Sequence, residues 1–480
     1  MTAFRNLPWL AALLASTAAG ALTPDLASLG SVPSVQLPPP ALEKAFERAP
    51  PKDQPYEYAV PLAAAVTLAD GRWDEAAPGV RRWRARLSAP GALSLSLHFA
   101  ALQLPPGARL WIYDAGGALV HGPYDDAAVS PAGLWTPIVR DDEIVVEIQA
   151  PAAAAGAVAL GIAQAFHGFR DWKAADAPGK SGACNIDVAC EQAGAWRDEA
   201  RSVARIQIGG RLLCSGQLVS NVRQDDRPLF LTADHCAIGD DGGGPADSVV
   251  FYWNYQASGC GGARDGDLGQ TQTGAVFLAD DVRSDFTLLR LAATPPQAYH
   301  VRLAGWNVTG ATTASGASIH HPSGDEKSVS LHSTAPVRAR ATIGPQRTVE
   351  AWEVEWSAGT TEQGSSGAGL WDANHQVIGV LSGGTASCDN PSGHDFYGRL
   401  EEAWTAGSAA DSQLKAHLDP DGTCIAAVPG RDPGSEPAEL DTALRNCGSS
   451  SAGGGEYDIG ALGVPALLAF ALLLLSRRQR

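Results

Sequence analysis

Residues 364–371 read Gly-Ser-Ser-Gly-Ala-Gly-Leu-Trp (GSSGAGLW). Glycine and serine at this density usually form a linker or a loop with unusual backbone angles. A linker, however, rarely runs straight into an apolar strand, and here Val377-Ile378-Gly379-Val380-Leu381 follows. The alternative is a tight turn that presents a nucleophile. Ser366 is the candidate, because the turn can aim the backbone N–H groups of Gly364 and Ser366 at one point. Two converging donors make an oxyanion hole, and the glycines let a substrate carbonyl approach. Such a serine requires a base and a carboxylate from elsewhere in the chain.

Candidates for both lie upstream. Phe230-Leu231-Thr232-Ala233-Asp234-His235-Cys236 places a histidine after an apolar strand and beside a cysteine, whose disulfide would fix the backbone. Imidazole titrates near neutral pH, so it can take a hydroxyl proton and return it to a leaving amine. Arg283-Ser284-Asp285-Phe286-Thr287-Leu288-Leu289 puts a carboxylate directly before a buried strand, where it can orient an imidazole N–H. Taken singly, His235 also reads as a surface histidine and Asp285 as a strand cap. In the order His235, Asp285, Ser366 they follow the chymotrypsin arrangement rather than that of subtilisin or the α/β-hydrolases. The hydrolase elbow G-x-S-x-G is also broken, since Ala368 holds its last glycine position.

Around this constellation the chain divides by composition. Residues 1–21 carry Arg5, an apolar run from Leu7 to Ala18 and the small-residue triplet Ala19-Gly20-Ala21, a signal-peptide pattern. Residues 22–55 are rich in proline and alanine and read as a flexible lead-in. From 56 to 151, segments such as Arg82-Trp83-Arg84-Ala85-Arg86-Leu87 and Ile144-Val145-Val146-Glu147-Ile148 alternate at period two, which predicts a β-sandwich. Residues 152–180 read as a connector, 181–420 as a second all-β domain, and 421–455 as a Pro/Gly/Ser-rich stalk. The tail, 456–480, holds an apolar run Ile459–Leu475 before Arg477, Arg478 and Arg480. That run is somewhat shorter than the ~20 residues of a spanning helix.

Bulk numbers exclude several classes. The 480 residues exceed one core, so two or more domains are expected. With 35 basic against 52 acidic residues, a net charge of −17 argues against a nucleic-acid binder. Eight cysteines without a C-x-x-C pair, in a chain with export signals, favour disulfides over a metal. His320-His321-Pro322 reads as a structural loop, because adjacent strand residues face opposite ways. Trp253, Trp306, Trp356 and Trp371 read as packing. No metal and no cofactor is expected.

From Cys184 to about Pro420, the segments CNIDVAC, LTADHC, VVFYWNYQASGC, SDFTLLRL, AGW, IHHP, GSSG and YGRL resemble a lysyl endopeptidase-type bacterial serine protease of the chymotrypsin superfamily. The resemblance implies an all-β, chymotrypsin-like double β-barrel preceded by a β-sandwich-like propeptide domain. It implies His235, Asp285 and Ser366 as the triad, and disulfides Cys184–Cys388, Cys190–Cys260 and Cys214–Cys236. Cys424 and Cys447 lie outside the match, and either close a small loop or pair elsewhere. The family's pocket aspartate is matched by Asp395, while Thr360 stands six residues before the serine, where trypsin has its own. Ser365 replaces the aspartate that receives the new amino terminus in trypsin. Ser382-Gly383-Gly384 should form the edge strand that pairs with substrate backbone.

These readings predict a secreted serine endopeptidase cutting after lysine, or after lysine and arginine, made as a preproenzyme and matured near Lys180-Ser181. Its partners would be protein and peptide substrates and its own propeptide. The tail resembles a GlyGly-CTERM sorting signal of Gram-negative bacteria, which would add an inner-membrane sorting protease; a plain tail anchor is the alternative. A non-catalytic adhesin on a protease scaffold and a serine esterase are the competing functional readings.

Overall fold

A computed structural model describes residues 22–26, 29–41, 52–170, 181–239, 243–261, 265–344 and 347–448. The signal-peptide and sorting-tail segments, and Lys180, lie outside the described residues. No helix among the described residues is long and apolar enough to cross a membrane.

Residues 34–36 and 59–168 build two facing sheets. One is centred on Val80–Ser88, Glu143–Pro151 and Arg109–Asp114, the other on Ala59–Thr67, Ala159–Gly168 and Ser94–Gln103. The period-two pattern has its expected consequence: Trp83, Ala85 and Leu87 meet Leu95, Leu97 and Phe99 in one apolar core, joined by Ile144, Val146 and Ile148. On the opposite face of the first sheet, Arg82 is held by Asp74 through paired bonds of 2.8 Å. Arg82 correspondingly holds the Asp74 carboxyl below its ordinary pKa.

Two boundaries differ from the sequence reading. The sandwich begins before residue 56, since Ser34–Gln36 pairs in parallel with Arg86–Ser88. It also ends beyond 151, because Ala159–Gly168 is an inner strand of the second sheet, not connector. Alanine and glycine dilute that strand's apolar alternation, and a proline-rich context hid the short first strand.

Residues 181–448 form the two halves of a chymotrypsin-like double β-barrel. In the first, Val203–Ile208, Leu212–Val219, Leu229–Thr232, Ala275–Asp281 and Phe286–Leu291 share one sheet. The second is built from Gly316–His320, Ser328–His332, Val337–Ile343, Arg347–Val354, Gly369–Asp372, Gln376–Gly384 and Asp395–Arg399. Trp253, Trp306 and Trp371 pack in the barrel core. The segment read as a stalk is fastened to this body. Ala427–Val428 pairs with Gly305–Asn307 and Arg431 bonds Asp226 at 2.7 Å, while the Cys424–Cys447 disulfide closes the segment on itself. Proline and glycine there shape a strap, and its composition alone resembles a linker's.

The sandwich and the barrels share an apolar seam. Tyr56, Tyr58, Trp135, Ile138 and Phe166 pack with Leu213, Val250, Tyr252 and Tyr255. Tyr56–Glu57 even adds a short antiparallel strand to the first half-barrel, opposite Leu213 and Leu212.

Candidate active site

Leu229–Thr232 is a fully buried strand that ends in a single 3-10 turn, Asp234–Cys236, closed by Ala237 in the left-handed region at φ 59°. Thr232 pairs with Thr287. His235, just past one strand end, and Asp285, just before the other strand, therefore emerge at the same rim. Asp285 itself has φ 50°, a left-handed conformation that aspartate tolerates better than most residues. Its Oδ2 faces His235 Nδ1 at 2.9 Å, and its Oδ1 accepts the His235 backbone N–H at 3.0 Å. The Cys214–Cys236 disulfide ties the neighbouring residue to the adjacent strand.

A third partner was not legible in the sequence. Arg347 Nη1 donates to Asp285 Oδ1 at 2.7 Å, and its Nη2 lies 3.1 Å from Asp234 Oδ2. Burial alone would raise the Asp285 pKa; His235 and Arg347 together hold it below the ordinary value. Asp234 shows the opposite balance. Burial and the neighbouring Asp285 charge outweigh Arg347 and push its carboxyl up to about 7. Of the two aspartates, the one facing the imidazole is kept ionised.

The Gly364–Gly367 turn is pinned to the first half-barrel. Ser215 N–H donates to Ser366 O at 2.8 Å, and Ser215 Oγ donates to Gly364 O at 2.9 Å. Gly364 has φ 82° and Gly367 φ 87°. A Cβ on Gly364 would lie 2.6 Å from Gly324 N, and one on Gly367 would lie 2.2 Å from Thr232 Oγ1, so both sites exclude side chains. Ser365 is buried and faces His320 Nδ1 at 2.8 Å, while its Oγ accepts the Glu362 N–H at 3.1 Å. His320 Nε2 faces Ser330 Oγ at 3.0 Å, and Ser330 donates to Thr360 O at 2.7 Å. Burial, assisted by the Lys52 charge, lowers the His320 pKa to about 3, so this chain runs through a neutral imidazole. Thr360 thus serves the chain through its carbonyl. His321, also buried, is engaged at Nδ1 by Asp325 O at 2.9 Å. No cluster of three or more metal-ligating residues occurs among the described residues.

Asp395 lies at the start of Asp395–Arg399, paired with Gly384 of the neighbouring strand. It is wholly buried. Its Oδ2 accepts from Thr361 Oγ1 at 2.6 Å and from Trp356 Nε1 at 2.7 Å. A Cβ on Gly384, at φ 152°, would come within 2.2 Å of Oδ1, so glycine there is what leaves that oxygen accessible. Gly383 lines the same edge, and Ser382 beside it is buried and helps lower the Asp285 pKa.

That accessible oxygen holds Lys52. The ammonium pairs with Asp395 Oδ1 at 2.9 Å, donates to Thr361 Oγ1 at 2.9 Å and also bonds Ala386 O. The carbonyl of the same residue accepts from Ser366 Oγ at 3.3 Å. Lys52, from a distant stretch, and Thr361, just before the Ser366 turn, carried no sequence signal, and Trp356, read as packing, is a donor to Asp395.

Around the cleft the structure contains disulfides Cys184–Cys388, Cys190–Cys260 and Cys214–Cys236. Just before Cys184, Ser181 donates from N and Oγ to buried Asp325 at 3.3 and 2.7 Å. Gly182 N–H reaches Glu362 Oε1 at 2.7 Å.

Two sequence families match the chain. The lysyl endopeptidase N-terminal domain matches residues 55–169, and the lysyl endopeptidase C-terminal domain matches residues 178–398. Among solved structures, a Glu endopeptidase is 17% identical over 46% of this chain and 93% of its own, with a TM-score of 0.30. A thermostable serine protease from an extremophilic microorganism is 16% identical over 42% of this chain and 92% of its own, also at 0.30. The active form of a protease from M. tuberculosis is 20% identical over 44% and 81%, again at 0.30. At these scores the structural likenesses add nothing to the site.

Proposed function

Since this chain belongs to the lysyl endopeptidase family of serine endopeptidases, we propose that it hydrolyses peptide bonds after lysine, or after lysine and arginine, with Ser366 as nucleophile. Ser366 Oγ attacks the scissile carbonyl carbon while His235 Nε2 takes its proton. Asp285 fixes the imidazole with Nδ1 protonated and stabilises the imidazolium. The N–H groups of Gly364 and Ser366 receive the oxyanion. His235 then returns the proton to the leaving amine, and water, activated by the same base, releases the acyl group. Asp395 recognises the basic side chain by a charge-assisted hydrogen bond in a dry pocket.

One observation carries this reading. A single lysine residue spans the site, with its carbonyl on Ser366 and its ammonium on Asp395. Nucleophile and buried carboxylate are therefore separated by the reach of one basic residue.

Maturation is assigned to the Lys180–Ser181 bond, with the sandwich as propeptide. Ser181 already sits on Asp325, so a new α-ammonium there would meet a buried carboxylate. The loop at 321–325 abuts the Ser366 turn, with Ser323 Oγ on Glu362 at 2.7 Å. That route differs from the trypsin switch, since Ser365 is committed to His320. Export by residues 1–21 and sorting by the C-terminal tail complete the proposal.

Labelling with a fluorophosphonate tests the nucleophile. Processed protein should be modified on Ser366 alone and the Ser366→Ala variant not at all. A processed protein, freed of the sandwich, that neither labels nor cleaves any peptide would favour a binding module, and cleavage of esters alone an esterase. Amino-terminal sequencing of the mature form should begin at Ser181.

A further inference from the structure

We propose that Lys52 and Asp53 are a ligand of the cleft carried by the chain itself, and that they hold the enzyme inactive until the sandwich departs. The inference rests on the roles given above to Ser366 and Asp395.

Lys52 satisfies the pocket as completely as a substrate side chain would. Its ammonium has three donors, and Asp395 Oδ1, Thr361 Oγ1 and Ala386 O supply three acceptors. The side chain is only 11% exposed and its partner carboxylate 0%. Asp395 makes no other ion pair among the described residues. Asp53 then covers the edge of the cleft. Its Cβ lies 3.3 Å from where a Cβ on Gly383 would stand, and its Oδ2 3.0 Å from that of Gly344. Pocket and edge are thus both filled by adjacent residues.

The bound segment is not poised to react. Attack requires the Ser366 hydroxyl to pass its proton to His235 Nε2. Here the hydroxyl donates to the Lys52 carbonyl at 3.3 Å, and His235 Nε2 is buried with no hydrogen-bond partner among the described residues. Lys52 therefore occupies the site as an inhibitor.

Its tether is short and firm. Four residues on, Tyr56–Glu57 pairs with Leu213 and Leu212, and Tyr58 N–H bonds Arg211 O at 3.0 Å. Tyr56 and Tyr58 are anchored in the apolar seam shared by sandwich and barrel. A ligand held this way acts at an effective concentration of order millimolar, which an external lysine peptide must exceed. Cutting the chain at Lys180 leaves both seam and plug in place, so processing and activation are separate events.

The test compares unprocessed chains carrying Lys180→Gln, with and without Lys52→Ala. The rate of fluorophosphonate labelling of Ser366 and the hydrolysis of a small lysyl ester are measured, and mass spectrometry follows the chain ends. Lys52→Ala should accelerate labelling and hydrolysis at least tenfold, and Lys52→Arg should accelerate them much less. Equal rates with and without Lys52, alongside an active processed enzyme freed of the sandwich, would overturn the plug. Prompt cleavage between Lys52 and Asp53 would also overturn it, since the segment would then be a substrate. If processed enzyme freed of the sandwich fails to label as well, the fault lies with the assignment of Ser366 instead.

Discussion

Asp285 and Asp395 are both wholly buried carboxylates, yet they are completed differently. Asp285 sits in the first half-barrel and has its partners built in: the His235 N–H and ring, and the Arg347 guanidinium. Asp395 sits in the second and has built-in donors on one oxygen only, Thr361 and Trp356. Its other oxygen is met by a lysine from the lead-in. A buried charge left unpaired costs several kcal/mol, so the incompletely paired aspartate is the one suited to select a cation from outside. The fully paired one is suited to hold a catalytic group still.

The contrast can be broken at each carboxylate in turn. Asp285→Asn should lower kcat by about 10⁴-fold with little change in KM, because the imidazole loses its tautomer and orientation. Steady-state kinetics on a lysyl peptide would check it, and a loss mainly in KM would mean that Asp285 is structural. Asp395→Asn should instead lower kcat/KM for lysyl substrates by about 10²–10³-fold, and for leucyl substrates hardly at all. A uniform loss across substrates would remove its role in selection.

Smaller effects sharpen the comparison. Arg347→Met should cost about tenfold in kcat and raise the Asp285 pKa. Arg347 is among the groups that depress the Asp285 pKa, so its loss raises that value. The stability conferred by ionised Asp285 is present above the unfolded pKa and lost as pH falls through the folded one. In the variant that loss should be smaller and complete at higher pH, as acid titration of the fold would record. Thr361→Val should weaken lysyl-peptide cleavage by about fivefold to tenfold, through one hydrogen bond to a charged group. The full pH profile should otherwise stay in place.

The candidate site residues are those with local signatures in the sequence. Ser366 lies in a glycine-bounded turn, His235 and Asp285 at ends of apolar strands, and Asp395 within a segment resembling the family's. Their supporting partners have no such signature. Arg347 reaches Asp285 across 62 residues of sequence and Lys52 reaches Asp395 across 343. A lone lysine in a proline-rich lead-in has no periodicity that could announce a cleft. Composition misled in the same way at residues 421–448, where Pro and Gly suggested a stalk. A short strand and the Arg431–Asp226 pair instead bind that segment to the barrel, and a disulfide closes it on itself. Local pattern specifies strands and turns, whereas pairing between distant elements is settled by packing.

The most direct measurement is hydrolysis of three matched peptides with Lys, Arg or Leu before the scissile bond by the fully processed protein. The account predicts cleavage after Lys and Arg at rates at least a hundredfold above Leu. Equal cleavage after Leu would contradict it, leaving a serine protease whose buried Asp395 does not read the substrate.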